Sequence, residues 1–272
     1  MKSFKTFLSF SCGFLTVIIN AAAQKLPNKQ EVSVYAPLNI KIDGKATEWD
    51  NTFKAYNHAT EIYYTLANDN NNIYLIVKAE NRVIVNKIIN GGVTLALGKN
   101  DKDVVKITYP VYERNSKPSL SINTKEAMDP GLANSVLLTD SAVSANNRNL
   151  NDMSKWVMVT GVKGIDILTS VYNEDGIKTA QRFDNKMAYT YELEVPLKYL
   201  NIPTTNEAKV AYHITLNGAS IFPNSQLKGA GQTNMPNSDN GIIEAKINAE
   251  MIQLGQTTAP TDFSGEYVLA KK

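Results

Sequence analysis

The chain contains few of the side chains that build thiol and transition-metal chemistry: one cysteine, two histidines and two tryptophans in 272 residues. A disulfide within the chain is impossible because Cys12 has no second cysteine to pair with, and Cys12 lies in an N-terminal apolar segment that we expect to be removed. The remaining chain therefore has no thiol nucleophile. With only His58 and His213 left, multi-histidine metal sites are excluded as well.

The sequence also lacks several motifs that mark common enzyme classes and nucleic-acid binding. It has no Gly-x-Ser-x-Gly elbow and no glycine-rich phosphate loop. Basic residues do not occur in runs longer than two. Because capture of nucleic acid or of an anionic membrane needs clustered basic residues, we expect neither partner.

The N-terminus has the pattern of an export signal. Lys2 and Lys5 precede an apolar run at residues 7–19, and alanines at 21–23 supply the small residues before a cleavage site. The run is shorter than the ~20 residues that span a bilayer. We therefore predict a signal peptide at 1–23, a mature chain from Gln24 without membrane insertion, and a periplasmic, cell-surface or secreted location. Losing two lysines leaves 26 basic residues against 26 acidic ones, a neutral balance.

The mature chain shows mainly the period-two alternation of β-strands. Residues 61–67 and 73–79 alternate on both sides of an Asn- and Asp-rich turn, which indicates a hairpin with one buried face. A helix is predicted at 82–90, before two glycines, and a helical turn at 196–200. The pattern predicts an all-β fold, an antiparallel β-sandwich of jelly-roll-like or immunoglobulin-like class, in a single domain at 24–272. The further predicted strands are 32–41, 92–97, 104–109, 119–123, 156–160, 165–172, 189–195, 209–217 and 266–271.

Residues 42–50 predict a turn followed by an aromatic plug. Asp43-Gly44 is a turn dipeptide because glycine accepts positive φ, and Thr47 is placed to cap a short helical turn that carries Trp49 over apolar strand residues. We therefore assign Trp49 a structural role, closing the core. Two long segments, 139–155 and 223–240, have little apolar periodicity and are predicted to be surface loops.

The strand at 189–195 carries the two carboxylates that come closest to a catalytic pair. Glu192 and Glu194 lie two residues apart and share one side of the strand, at a backbone spacing of about 7 Å from the strand rise. Retaining glycosidases need carboxylates at a similar separation. A solvated strand face is the favoured explanation of the pair, so we predict no catalytic residue and keep a glycoside-active enzyme as a distant alternative. His213 is predicted to lie on the surface.

No cofactor is predicted with certainty, and a metal site cannot be assigned from the residues. The run at 68–72 is rich in oxygen ligands but lacks the following glycine and distant glutamate of a calcium loop. A hairpin turn accounts for it. A structural calcium ion held by several loops stays open.

Saccharide binding would need an exposed aromatic ring beside hydrogen-bonding side chains. Four residues offer this combination, and they are Trp156, Tyr172, Tyr112 and Arg114. Trp156 opens a strand directly after a long polar segment, which makes it the first choice.

Several segments carry a family resemblance, namely Ile-Asp-Gly at 42–44, Glu-Trp at 48–49, Ile-Tyr-Leu-Ile-Val at 73–77, Tyr-Glu-Leu-Glu-Val-Pro-Leu at 191–197, Tyr-Leu at 199–200 and Asp-Phe-Ser-Gly-Glu-Tyr-Val-Leu-Ala at 262–270. Together they resemble the carbohydrate-binding module family nine and the DOMON-like β-sandwich superfamily. The resemblance implies an exported β-sandwich that binds a saccharide; some relatives bind haem, and the sugar-binding modules hold their ligand between two tryptophans. Because Trp49 is assigned to structure, only Trp156 remains for that role here. The alternative is a structural or protein-interaction component of a bacterial envelope assembly, with an envelope protein as partner.

Overall fold

A computed structural model describes residues 25–98, 104–112, 120, 140–200, 202, 209–219 and 255–272. The predicted signal peptide, Arg114 and the predicted loop at 223–240 lie outside these residues, as does nearly all of the predicted strand at 119–123. Within the described ranges, no helix is both long and apolar enough to cross a membrane.

Two antiparallel sheets stack face to face, which confirms the predicted all-β sandwich. The five-stranded sheet has the order β1-β2-β3-β9-β8, and the six-stranded sheet has the order β11-β10-β4-β5-β6-β7. The strands are β1 (Ala55–Asn57), β2 (Ile62–Asn68), β3 (Asn72–Ala79), β4 (Val93–Gly98), β5 (Val104–Val111), β6 (Trp156–Thr160), β7 (Leu168–Ser170), β8 (Lys178–Phe183), β9 (Tyr189–Pro196), β10 (Lys209–Leu216) and β11 (Thr261–Val268).

The main core lies between the sheets and is built by alternate residues of each strand. Ile62, Tyr64 and Leu66 of β2 are fully buried there, as the alternation predicts. Tyr64 reaches across to Tyr212 of the opposite sheet, and their hydroxyl oxygens are 2.9 Å apart. A buried hydroxyl without a partner costs about 1–3 kcal/mol, so this pairing lets two polar groups enter the core.

Helix α1 (Arg82–Gly91) carries the chain from one sheet to the other, close to its predicted bounds. The side chain of Asn81 caps it by accepting from the backbone N–H of Val83 at 2.9 Å. Gly92 ends it with φ of 79°, a conformation that glycine adopts readily. The buried residues Ile84, Val85, Ile88 and Ile89 pack against the main core.

The segment at 34–53 crosses the outer face of the five-stranded sheet and builds a second, smaller core there. Trp49 is 6% exposed and packs with Tyr74 and Ile76 of β3. The prediction that Trp49 closes the core of the sandwich is therefore wrong about its location, because the ring covers the outer face of the five-stranded sheet. The Asp43-Gly44 turn is confirmed, with Gly44 at φ 80°.

Two local predictions for this segment are wrong. Thr47 does not cap the 3₁₀ turn at Thr47–Trp49; Ala46 holds the cap position and no side chain caps it. The predicted strand at 32–41 is reduced to one isolated bridge, Tyr35 with Asn68. Pro37 explains the interruption, since proline has no N–H for a ladder and restricts the residue before it.

The predicted surface loop at 139–155 is instead mostly a helix, α2 (Asp140–Met153). Its Asn147 is buried and bonds twice to Phe183 of β8, donating to the carbonyl at 3.0 Å and accepting from the N–H at 2.8 Å. The side-chain amide of Asn147 thus makes the two hydrogen bonds to Phe183 that a residue of a neighbouring strand would make. Because β8 is a sheet edge, α2 satisfies backbone groups that would otherwise be open to another chain.

The remaining differences concern short or polar strands. β1 and β8 were not predicted, because β1 has only three residues and β8 alternates weakly in polarity. The strand predicted at 165–172 is limited to β7, and the last strand begins at Thr261 rather than at 266.

Replacing Trp49 should destabilise the fold strongly. We expect Trp49→Ala to lower the free energy of unfolding by about 3–5 kcal/mol, the usual cost of removing a large buried aromatic side chain. Trp49→Phe, which keeps most of the apolar volume but loses the indole N–H, should cost less. Urea unfolding followed by circular dichroism measures both, and limited proteolysis shows whether 34–53 is released first. A loss below about 1 kcal/mol for Trp49→Ala would contradict the assigned packing role.

Candidate functional site

The outer face of the six-stranded sheet is lined by the residues that alternate with its core positions, and we call it the open face. Val93, Leu95 and Leu97 of β4 point into the core, so the residues between them point outward. Register then aligns the outward residues of neighbouring strands in rows. The rows are Glu266, Ala211, Gly98 and Val104; Ser264, His213, Ala96, Lys106 and Thr160; Asp262, Thr215, Thr94, Thr108, Met158 and Leu168; and Val111, Trp156 and Ser170.

A trough of about 850 Å³ lies on this face. Its floor includes Ala96, Gly98 and Ala211, whose small side chains leave space above the sheet. Charged or polar side chains border it, namely Lys29, Lys106, His213, Ser264 and Glu266. The trough therefore offers room for a flat ligand with hydrogen-bonding groups around it.

Hydroxyl and amide groups next to the trough are held in fixed positions. Thr94 and Thr108 lie directly opposite each other, with hydroxyl oxygens 2.7 Å apart. The amide of Asn217 donates to the Thr94 hydroxyl at 2.9 Å and to the carbonyls of Gly91 and Gly92. Such a network orders its donors and acceptors before a ligand arrives, which lowers the entropic cost of binding.

The acidic side chains of the open face each lie beside a base. His213 Nε2 is 3.1 Å from Asp262 Oδ2, and Lys209 Nζ is 3.4 Å from Glu266 Oε2. All four side chains are about half exposed or more, so these contacts contribute little to stability. His213 lies on the surface, as predicted.

Trp156 lies half-buried at one end of the open face, on β6. Its neighbour Lys155 donates to the hydroxyl of Tyr172 at 3.1 Å, and the ammonium lies 5.5 Å from the centre of that ring. Tyr172 is 75% exposed. The structure thus brings the predicted residues Trp156 and Tyr172 to the same corner, joined through Lys155.

An apolar pair continues this corner along the sheet. Met158 and Leu168 are cross-strand partners one row from Trp156, and both are among the exposed large apolar side chains. Exposed apolar residues next to an aromatic ring are typical of recognition surfaces.

Tyr112 does not join this corner. Tyr112 follows Val111, the partner of Trp156, but its hydroxyl oxygen is buried toward Ser154 and Gln181. Burial raises the pKa of the Tyr112 hydroxyl to about 12. Arg114 lies outside the described residues.

Glu192 and Glu194 do not form a solvated strand face, so that prediction is wrong. They are 1% and 7% exposed, because the segment at 34–53 covers the outer face of their sheet. Glu192 accepts from Trp49 Nε1 at 3.0 Å and from the backbone N–H groups of Asp43 and Gly44 at 2.9 and 2.8 Å. Glu194 accepts from Lys178 Nζ at 3.1 Å. Both carboxylates are engaged in holding structure.

The polar turn after β2 contains one carboxylate, that of Asp69, and it accepts hydrogen bonds from the turn and from β3. Asp69 accepts from the backbone N–H groups of Asn71 and Asn72 and from the Tyr74 hydroxyl at 2.7–2.8 Å. Burial raises the pKa of Asp69, but these hydrogen bonds outweigh it and hold the pKa below its ordinary value. In the ranges given above, three or more His, Cys, Asp or Glu side chains do not gather where they could hold a metal ion.

The lysines and small residues of the open face were not predicted as site residues from the sequence. Lys106, Ala96 and Ala211 are separated by many residues in the chain and meet only through strand register. The usable signal was the polar or small residue at every second position of β4, β5 and β10.

Comparison with known proteins gives a similar solved structure and no family. No protein family matches the chain, and no curated protein does. Among solved structures, the chain is similar to a carbohydrate-binding module of family 9 from Caldicellulosiruptor kristjanssonii in complex with glucose. The identity is 10% and the TM-score 0.36, over 89% of this chain and 96% of that one. Similarity at this level assigns neither a family nor a ligand.

Glu192 should make stability depend on pH in a defined window. Burial raises its pKa from 4.5 to about 7, although the hydrogen bonds from Trp49, Gly44 and Asp43 act in the opposite direction. Between these values the folded protein holds a proton that the unfolded chain has released. The free energy of unfolding should therefore fall as pH rises from about 4.5 to 7, by at most about 3 kcal/mol.

Urea unfolding at a series of pH values measures this dependence, with Glu192→Gln as the matched variant. In the variant, the free energy of unfolding should no longer decline between pH 4.5 and 7. Asp69 affects stability only at lower pH, near its ordinary pKa of 3.8 or below it. Equal slopes in the two proteins would show that Glu192 does not titrate in this window.

Proposed function

We propose that this protein is an exported, non-catalytic carbohydrate-binding protein that holds a saccharide on its open face. The observation that carries the proposal is the trough of about 850 Å³ on the one outer sheet face that the described residues leave uncovered. A second outer face exists, but residues 34–53 pack over it.

The side chains around the trough suit a sugar. Saccharides present many hydroxyl groups, which need donors and acceptors at several fixed positions, and Thr94, Thr108, His213 and Ser264 supply these from a rigid sheet. The apolar face of a pyranose ring stacks on an aromatic ring. Trp156 provides such a ring at the end of the same face.

Two further arguments support export and the absence of catalysis. The N-terminal pattern with Lys2, Lys5 and the alanines at 21–23 is that of a cleaved signal peptide. The paired glutamates that suggested a glycosidase are buried and accept structural hydrogen bonds, Glu192 from Trp49 and Glu194 from Lys178, which supports a non-catalytic role.

Replacing Trp156 tests the proposal directly. Purified protein is titrated calorimetrically with oligosaccharides and polysaccharides, and Trp156→Ala should weaken binding of any saccharide that binds by at least about tenfold, because the stacking surface is lost. Trp156→Phe should retain part of the affinity.

Tyr63→Ala serves as the control, since Tyr63 is a half-buried ring on the covered sheet, packed against Phe53 and Tyr56. It should bind like the unmodified protein once its folding is verified by circular dichroism. Absence of saccharide binding across the panel, or binding that survives Trp156→Ala, would contradict the proposal.

A protein-interaction role in an envelope assembly is the second candidate. The exposed pair Met158 and Leu168 beside Trp156 favours it, because exposed apolar groups often mark protein contacts. The substitution Met158→Lys distinguishes the two candidate functions. That change should abolish association with an envelope protein while leaving saccharide affinity within about twofold, since a saccharide gains little from an aliphatic pair.

A further inference from the structure

We propose that the saccharide held on the open face is anionic, carrying carboxylate or sulfate groups. This inference rests on the proposed function and narrows it to one class of ligand. It follows from the distribution of charge around the trough and around Trp156.

Two lysines line the trough without an acidic partner. Lys29 and Lys106 are both exposed at its border, and the described part of the chain shows neither within ion-pair distance of an Asp or Glu. Lys106 projects from the middle of β5, between Ala96 and Thr160 in its row. An exposed, unpaired ammonium group at the border of a cleft raises the local concentration of anions.

A third lysine stands beside the aromatic corner. Lys155 contacts only a neutral group among its described polar contacts, the ring and hydroxyl of Tyr172. That contact holds the ammonium against the exposed ring of Tyr172 without neutralising its charge. A saccharide that reaches Tyr172 would place its substituents near this cation.

The acidic residues of the same face do not cancel these charges. Glu266 lies against Lys209. Asp262 does not line the trough, and its partner His213 is charged only when protonated. Among the charged side chains that do line the trough, Lys29 and Lys106 outnumber Glu266.

The lysines suit a saccharide better than a regular polyanion. Lysine carries a point charge on a flexible stem and can meet a carboxylate or sulfate at several positions of a sugar ring. Two ammonium groups at a floor of small residues, with threonine hydroxyls in the neighbouring row, match a ligand that carries both charges and hydroxyl groups. Nucleic-acid binding needs a denser basic surface.

The test compares polymers that differ in charge and in backbone. Polygalacturonate supplies carboxylates, dextran sulfate supplies sulfates, and dextran is the neutral reference; polyglutamate and duplex DNA are anionic polymers of other classes. At low salt, at least one anionic polysaccharide should bind ten times or more tighter than dextran. Raising the salt to about 0.5 M should remove most of this difference, because salt screens exposed charges.

Charge removal at single lysines locates the effect. Lys106→Gln and Lys155→Gln should each weaken binding of the anionic polysaccharide about fivefold, the value of one exposed charge pair at short range. Lys41→Gln is the matched control, because Lys41 is an exposed lysine on the segment that covers the other sheet. It should leave affinity unchanged.

Each outcome decides a separate point. Preference for polygalacturonate or for dextran sulfate supports the inference and identifies the acidic group. Equal, Trp156-dependent binding of dextran and the anionic polysaccharides overturns the inference and leaves the proposed function intact. Polyglutamate or DNA binding as tightly as the polysaccharides overturns it in favour of unspecific charge capture. A panel without any Trp156-dependent saccharide binding contradicts the proposed function itself.

Discussion

One buried carboxylate organises this molecule. Glu192 lies in the middle of β9 with almost no exposure, and both of its oxygens accept hydrogen bonds from the segment at 34–53. A buried carboxylate without partners would cost several kcal/mol, so the sheet is stable only with this segment in place. The indole N–H of Trp49 and two backbone N–H groups at the Asp43-Gly44 turn meet that requirement together.

This constraint makes the two sides of the sandwich unequal. The segment at 34–53 turns the outer face of the five-stranded sheet into a second core, in which its own Trp49 packs on Tyr74 and Ile76 of β3. The outer face of the six-stranded sheet keeps small and polar side chains and a trough. The proposed binding face is therefore the one that the segment at 34–53 does not cover, and Trp156 lies on it.

The sequence predicted the fold far better than the site. Strong alternation located β2, β3, β9 and β10 because each has one face in the main core, and two glycines fixed the end of α1. The prediction of a loop at 139–155 was wrong because α2 is polar. It is held by packing and by the Asn147 amide rather than by a continuous apolar stripe.

The site could be predicted only in part. Trp156 and Tyr172 could be proposed because aromatic residues next to polar ones are visible along the chain, and their role in binding stays a prediction. The meeting of Lys106 with Ala96 and His213, in contrast, depends on strand register. Glu192 was misjudged for a related reason. Alternation shows which side of a strand a residue occupies, but it cannot show that another segment packs over that side.

The contacts of Glu192 also set an order of events during folding. They join residues 143 to 149 positions apart, so the covering segment is made long before the strand that receives it. Contacts at such separations form late, because a long loop must close before they stabilise anything. As the chain is synthesised from its N-terminus, the indole N–H of Trp49 therefore stays without its Glu192 acceptor until β9 has emerged and paired with β3. The segment at 34–53 is made early but is among the last to complete its native hydrogen bonds.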